Sequence, residues 1–278
     1  MATHEQTPKA TGRSGDHPDK LVSDSSRLGF SEAFEKKIEH DRALPKLIIA
    51  LQYCPLDEKG AFDLAYRLAA LEEARRDDVT FAFSYRQDSK PPSPKLVSAM
   101  QDVFGRVLVW RGVRGSKGHP AGCNGLWIDT MTNAAEEGVR NNVSGIFTME
   151  SDDVPIRRDW VTGVQGSWAD ALERNKLVTG CLMPKSKECP EHINGNAIFH
   201  TQTLRKWEGL TQCPPYFAWD VWGARHFRTS WLPSKFIVNL YKRTEVPLEE
   251  VVDIQSTGAV LIHGVKDNSV VGLLDSLS

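Results

Sequence analysis

Cysteine is scarce and unpaired: the 278-residue chain carries five, at 54, 123, 181, 189 and 213, with no C-x-x-C spacing among them. An odd number without paired spacing argues against a disulfide framework. A zinc site from Cys181, Cys189, His192 and Cys213 lacks the paired ligand spacing such sites use. Long apolar runs are missing as well. The opening stretch MATHEQTPKATGRSGDHPDK is polar from its first residue, which excludes a signal peptide or membrane anchor there and leads to the expectation of a cytoplasmic protein without a membrane partner. The sequon Asn142-Val143-Ser144 then reads as chance. Charge of one sign is not in excess either, because the formal net charge is −2. A nucleic-acid partner would therefore have to be met by a local basic patch. The P-loop spacing G-x-x-x-x-G-K-[ST] is absent.

What remains is the composition of an ordinary globular protein, with 40% hydrophobic and 25% charged residues. Residues 1–28 are rich in Ser, Asp, Lys, Gly and Thr and cannot bury enough apolar surface to order themselves, so a flexible tail is expected there. A short lead-in helix is expected from Phe30 to Asp41, capped by Ser31. The run Lys46 to Gln52 is apolar throughout and has the length of a strand buried on both faces. Residues Gly60 to Arg76 repeat apolar positions at helical spacing, and Val79 to Tyr85 reads as a second strand. A helix from Pro94 to Phe104, a strand from Arg106 to Trp110, a helix from Ile128 to Gly138 and a strand from Ser144 to Met149 follow. This alternation predicts an α/β, doubly wound, mostly parallel sheet flanked by helices, in which ligands bind beyond the carboxyl ends of the strands.

At one such end stands Met149-Glu150-Ser151-Asp152-Asp153-Val154-Pro155, an apolar strand running into three carboxylates and stopped by proline. Such crowding is costly without a cation, and hard carboxylate oxygens suit Mg²⁺ or Mn²⁺. Alternate residues of an extended chain share a face, which pairs Glu150 with Asp152. The same run also suits a solvated turn capping the helix expected near Arg157. The segment resembles the strand-end DxD signature of GT-A glycosyltransferases, in the D-x-D-D-x-P form of family 2 enzymes, with Glu150 where the first aspartate stands. That resemblance implies a Rossmann-like GT-A catalytic domain over 29–278, with a donor-binding half at 45–155 and an acceptor half at 156–270. It also implies a nucleotide-diphosphate sugar as donor, Mn²⁺ or Mg²⁺ as cofactor, Asp152, Glu150 and His263 as metal ligands, and Asp153 at the donor.

Four other segments fit the same pattern. Ala259 to Asp267 is an apolar strand ending in His263 with Lys266 beyond it, similar to the C-terminal His-Gly-x-Lys segment whose lysine binds the donor diphosphate. The Gly-rich, basic stretch Arg111 to Gly125 resembles the Lys-Gly…Asn-x-Gly donor loop, which nominates Arg114, Lys117 and Asn124 for donor binding; a plain surface loop is the competing reading. Glu191 to Phe199 packs His192, Asn194 and Asn196 around an Asn-Gly pair, whose amides and imidazole suit sugar hydroxyls but also mark a turn. Asp220 lies among aromatics, with Trp219 and Trp222 beside it. An apolar setting raises a carboxylate pKa, which suits a base accepting a proton from an acceptor hydroxyl. It falls where family 2 enzymes carry their catalytic base, and a base across the sugar from the leaving group implies inversion. A helix opening at Trp219-Asp220 is the structural alternative. Basic clusters at Arg111 to Lys117 and Arg225 to Arg228 keep DNA among the acceptors, beside glycans and proteins. A nucleotidyltransferase and a non-catalytic nucleotide-sugar-binding module are the two other readings of the same residues.

Overall fold

Continuous runs of β-branched and aromatic residues form the centre of the molecule. In the computed structural model, which describes residues 43–243 and 245–265, they make strands β1 (Leu47–Tyr53), β2 (Arg76–Tyr85), β3 (Phe104–Arg111) and β4 (Gly145–Met149). Three helices connect them: α1 (Glu58–Leu71), α2 (Pro94–Val103) and α3 (Ala121–Asn141). Beyond β4 come β5 (Val154–Pro155), α4 (Trp160–Glu173), β6 (Val178–Met183) and β7 (His192–His200). The chain continues with α5 (Thr203–Lys206), a 3₁₀ turn at Glu208–Gln212, α6 (Trp219–Phe227), β8 (Trp231–Pro233), β9 (Ile237–Arg243), α7 (Leu248–Ser256) and β10 (Leu261–Val265). The expected tail, the lead-in helix and Lys266 lie outside the described residues. No helix among the described residues is long and apolar enough to cross a membrane.

Seven strands form one sheet in the order β3-β2-β1-β4-β7-β6-β8. The first four run parallel, as the alternation of strands and helices predicts, whereas β7 is antiparallel to both β4 and β6. The expected α/β fold with a mostly parallel sheet is thus observed. β1 and β4 are buried along nearly their whole length, which explains runs of apolar residues without alternation. Apolar side chains of α1, α2 and α4 cover one face of the sheet, and those of α3 and α6 cover the other. Trp127, Trp160 and Trp168 are among the largest fully buried side chains, so three of the tryptophans are core residues.

Two segments differ from the sequence expectation. The Asn-Gly pair at 194–195 lies inside β7 rather than in a turn, because Thr148 Oγ1 of β4 donates to the Gly195 and Ala197 carbonyls at 2.8 and 3.2 Å and ties the strand down. Residues 121–125 form the first turns of α3 rather than the end of a loop. Their glycines serve close approach: a Cβ on Gly125 would lie 3.2 Å from Arg114 Cβ, and one on Gly122 would lie 3.2 Å from the Lys117 carbonyl carbon.

A second, small sheet in the order β5-β10-β9 was not foreseen. In it β10 pairs antiparallel with β5, Leu261 opposite Pro155 and Ile262 opposite Val154. The register of β10 against β9 shifts between His263 and Val265, and the residue between them, Gly264, has φ +95°. Glycine reaches that region without steric cost, so the irregularity is built into the sequence.

Candidate functional site

The turn after β4 closes on itself. The Asp153 N–H donates to the Glu150 carbonyl at 3.1 Å, and Asp153 Oδ2 accepts the Glu150 N–H at 2.6 Å. This directs Asp153 inward, where it is 0% exposed, while Glu150 stays partly open. From the other end of the described chain, β10 brings His263 beside the same turn, with Nδ1 2.9 Å from Asp153 Oδ1 and 3.7 Å from Asp152 Oδ1. Glu150, Asp152 and His263 each offer a ligand atom such that these atoms lie within 4.8 Å of one another. The donor set of two carboxylates and an imidazole fits a divalent cation. No other group of this kind occurs among the described residues, so Cys181, Cys189, His192 and Cys213 do not assemble into a zinc site.

Electrostatics at this cluster follow from burial and crowding. Burial alone would lower the His263 pKa, but the charge and hydrogen bond of Asp153, with Glu150 and Asp152 nearby, push it up to about 9. Burial raises the Asp153 carboxyl, and the His263 imidazole offsets part of that rise. Nδ1 of His263 has two mutually exclusive partners. Neutral, it accepts from Asn196 Nδ2 at 2.8 Å; protonated, it donates to Asp153. Asp153, expected at the donor, is instead sealed behind His263 and holds that ring. Were His263 to hold a cation, Asp153 would be placed as the outer carboxylate that orients the ring.

A cleft of about 520 Å³ opens in front of the cluster. Of the expected site residues it gathers Asn124, Glu150, Asn194, Asn196, Trp219, Asp220 and His263, which come from α3, the β4 turn, β7, α6 and β10. Asp220 therefore combines the two readings of its segment: it lies in the first turn of α6, with Oδ1 accepting the Val221 N–H at 2.8 Å, and it also faces the cleft. Burial raises its carboxyl pKa, with His192 and backbone N–H groups opposing. Asn124 lines the cleft but spends its amide on the fold. Its Oδ1 accepts the Trp219 N–H at 2.9 Å and its Nδ2 donates to the Phe217 carbonyl at 2.7 Å, which clamps the start of α6 to α3.

Other expected residues are not at the cleft wall. Arg114 bonds the Asp129 carboxylate, which also accepts the Val113 and Arg114 N–H groups at 2.7 and 3.0 Å, and Lys117 lies 3.6 Å from Asp88. Both cations thus face protein carboxylates, although Asp88 is shared with Arg86. Trp222 donates to the Gly209 carbonyl at 3.2 Å and carries Arg225 stacked 3.3 Å over its ring. His192 is buried behind Asp220, its Nε2 3.8 Å from Asp220 Oδ2.

A smaller cavity of about 170 Å³ adjoins the cleft and shares His119, Cys123, Glu150 and Trp219 with it. Tyr53 at the end of β1, with Asp57 and Arg86 just past the ends of β1 and β2, also lines it. Sequence reasoning did not nominate these residues. The rule that ligands sit past the carboxyl ends of parallel strands points to them once β1 and β2 are recognised. The Cys123 thiol is pushed up to about 11 by burial, with Glu150 adding to the effect, and so stays protonated at neutral pH.

No protein-family model and no curated protein sequence matches the chain. Among solved structures, the apo form of WbbM, a bifunctional glycosyltransferase, is similar over 81% of this chain and 46% of its own, with 10% identity and a TM-score of 0.46. A glycosyltransferase involved in glycosylation of the major capsid of PBCV-1 is similar over 84% of this chain and 100% of its own, with 9% identity and a TM-score of 0.46. This chain thus spans less than half of the first of these proteins. At such scores the functional reading has to come from the chain's own residues.

Proposed function

We propose that this chain is a cation-dependent glycosyltransferase moving a sugar from a nucleotide-diphosphate donor to an acceptor hydroxyl. The observation that carries the reading is the grouping of Glu150, Asp152 and His263, with ligand atoms within 4.8 Å of one another, of which Glu150 and His263 line a cleft that also holds the half-buried carboxylate Asp220. A divalent cation held by those three side chains would neutralise the diphosphate as it leaves. Asn194 and Asn196 offer donors and acceptors to sugar hydroxyls at the cleft wall. Asp220, made more basic by burial, takes the acceptor proton as the hydroxyl oxygen attacks the anomeric carbon. Attack from the side opposite the leaving diphosphate inverts that centre.

A panel of nucleotide sugars with Mn²⁺, read by release of nucleoside diphosphate, tests this directly. Slow donor turnover that Asp152→Ala abolishes is expected. Asp220→Asn should lower turnover by about 10²- to 10⁴-fold, the contribution of a positioned base, while donor affinity is retained. Release of pyrophosphate from a nucleoside triphosphate instead would make the protein a nucleotidyltransferase. Donor binding without any turnover would make it a binding module.

A further inference from the structure

Asp220 has a partner that the proposed chemistry does not yet use. His192 opens β7, opposite Met183 of β6, and its Nδ1 lies 2.8 Å from the Pro190 carbonyl oxygen. A carbonyl only accepts, so Nδ1 carries a proton, and in the neutral form of the ring the lone pair is on Nε2. That lone pair faces Asp220 Oδ2 at 3.8 Å, within ion-pair reach and roughly 1 Å longer than a charge-assisted hydrogen bond. Both side chains are mostly buried, 10% and 16% exposed. Gly195 of β7 lines the cleft beside Asp220, and a Cβ there would come 3.2 Å from the Trp219 ring and 3.8 Å from Asp220 Oδ2. The glycine thus leaves space for the Trp219 ring at the start of α6.

Resting on the glycosyltransferase reading above, we propose that His192 is the positioning and proton-accepting partner of Asp220, forming with it a buried dyad that receives the acceptor proton. The step balances as follows. The acceptor oxygen bonds the anomeric carbon, the bond from that carbon to the diphosphate oxygen breaks with its electron pair on the leaving group, and the hydroxyl proton moves to Asp220. Asp220 passes that proton to His192 Nε2, which restores the carboxylate beside an imidazolium; water takes the proton once product leaves. The rest of the surroundings suit this direction of transfer. Asp220 Oδ1 is held by the Val221 N–H, and the Gly195 backbone adds a second donor; with His192 these oppose the rise in the Asp220 pKa that burial causes. Cys213, from the loop before α6, interacts with Asp220, and burial pushes its thiol up to about 11; Arg225 stands on the next turn of α6, and His119 and Cys123 line the same cleft. Glu150 and His263 line the same cleft.

His192→Gln keeps an amide able to reach the Pro190 carbonyl but cannot carry the proton. Two measurements on the full chain decide the matter. In ¹³C carboxyl titrations, His192→Gln should move the Asp220 midpoint to higher pH, because the imidazole that opposes burial is gone. In steady-state kinetics with the donor found active, the acid limb of kcat should move to higher pH with KM for the donor unchanged. A merely structural role would lower kcat equally at every pH. If His192→Gln does not fold, His192→Ala carries the test, with added imidazole expected to restore the acid limb. An unmoved Asp220 midpoint, parallel pH profiles, or absence of imidazole rescue overturns the dyad. If the wild-type chain turns over no nucleotide sugar, the glycosyltransferase reading fails and the relay with it, while the carboxyl titration still reports whether the two side chains are coupled.

Discussion

The cation cluster predicts a steep dependence of metal affinity on pH. His263 can ligate only as the neutral imidazole, and three nearby carboxylates hold its pKa at about 9 in the metal-free protein. Cation and proton therefore compete for the same ring. Below pH 9 the ring must lose a proton before it can bind, so affinity rises with pH up to about 9 and flattens above. Between pH 7 and the plateau lie about two units at 1.36 kcal/mol each, which is roughly 2.7 kcal/mol or a 100-fold change in apparent Kd. Titration of metal-stripped protein with Mn²⁺, followed by calorimetry in buffers of different ionisation heat, gives both the Kd and the protons released. About one proton should leave per cation at pH 7. His263→Gln, which has no proton to lose, should bind more weakly at pH 9 and show little pH dependence. Equal Kd values for the wild-type chain at pH 7 and pH 9, with no proton released, would refute both the ligand role of His263 and the electrostatic account of its environment.

Two predictions concern the scaffold. Asn124→Ala removes the acceptor of the buried Trp219 N–H and the donor to Phe217; leaving that N–H unpaired should cost about 1–3 kcal/mol in urea unfolding and loosen the segment that presents Asp220. Gly145→Ala places a Cβ 2.4 Å from Trp168 Nε1 in the core, so an overpacking loss of about 1–3 kcal/mol is expected, whereas Gly166→Ala, with open space around it on α4, should gain about 0.5–1 kcal/mol.

The first half of the fold was legible because its strands are buried on both faces. Leu47 to Leu51 is an uninterrupted apolar run and Gly145 to Met149 is broken only by Thr148, and no local signal competes with them. β7 was harder to read, because Asn194-Gly195 is a strong turn signal that tertiary pairing with β4 and β6 overrides. The start of α3 was hidden for a related reason. Gly122 and Gly125 look like loop residues, yet they are small so that the preceding strand-to-helix segment can pack against the helix. At the site, Asp220, Glu150, Asp152 and His263 were legible as isolated polar groups at the ends of apolar segments. The division of labour between Asp152 and Asp153 was not. Only the backbone turn that buries Asp153 shows that it orients His263 instead of facing the cleft. The acidic run also fitted a helix cap, but α4 begins later, at Trp160, and no side chain caps it.

The pairing of β10 with β5 has a further consequence for how the cation cluster is held. The acidic turn runs directly into β5, and His263 follows directly on the two residues of β10 that pair with it. The separation between the two halves is therefore fixed by a backbone ladder, as if both were mounted on one ruler. Side chains alternate along a strand, so a slip of a single residue would turn the imidazole to the opposite face and put Ile262 or Gly264 in its place. Little ordering of loops is left to be done when a cation arrives. The corollary is that folding of the C-terminal strand and assembly of the cation cluster are one event: a chain ending before Leu261 would lose the strand that aligns the acidic turn together with the imidazole.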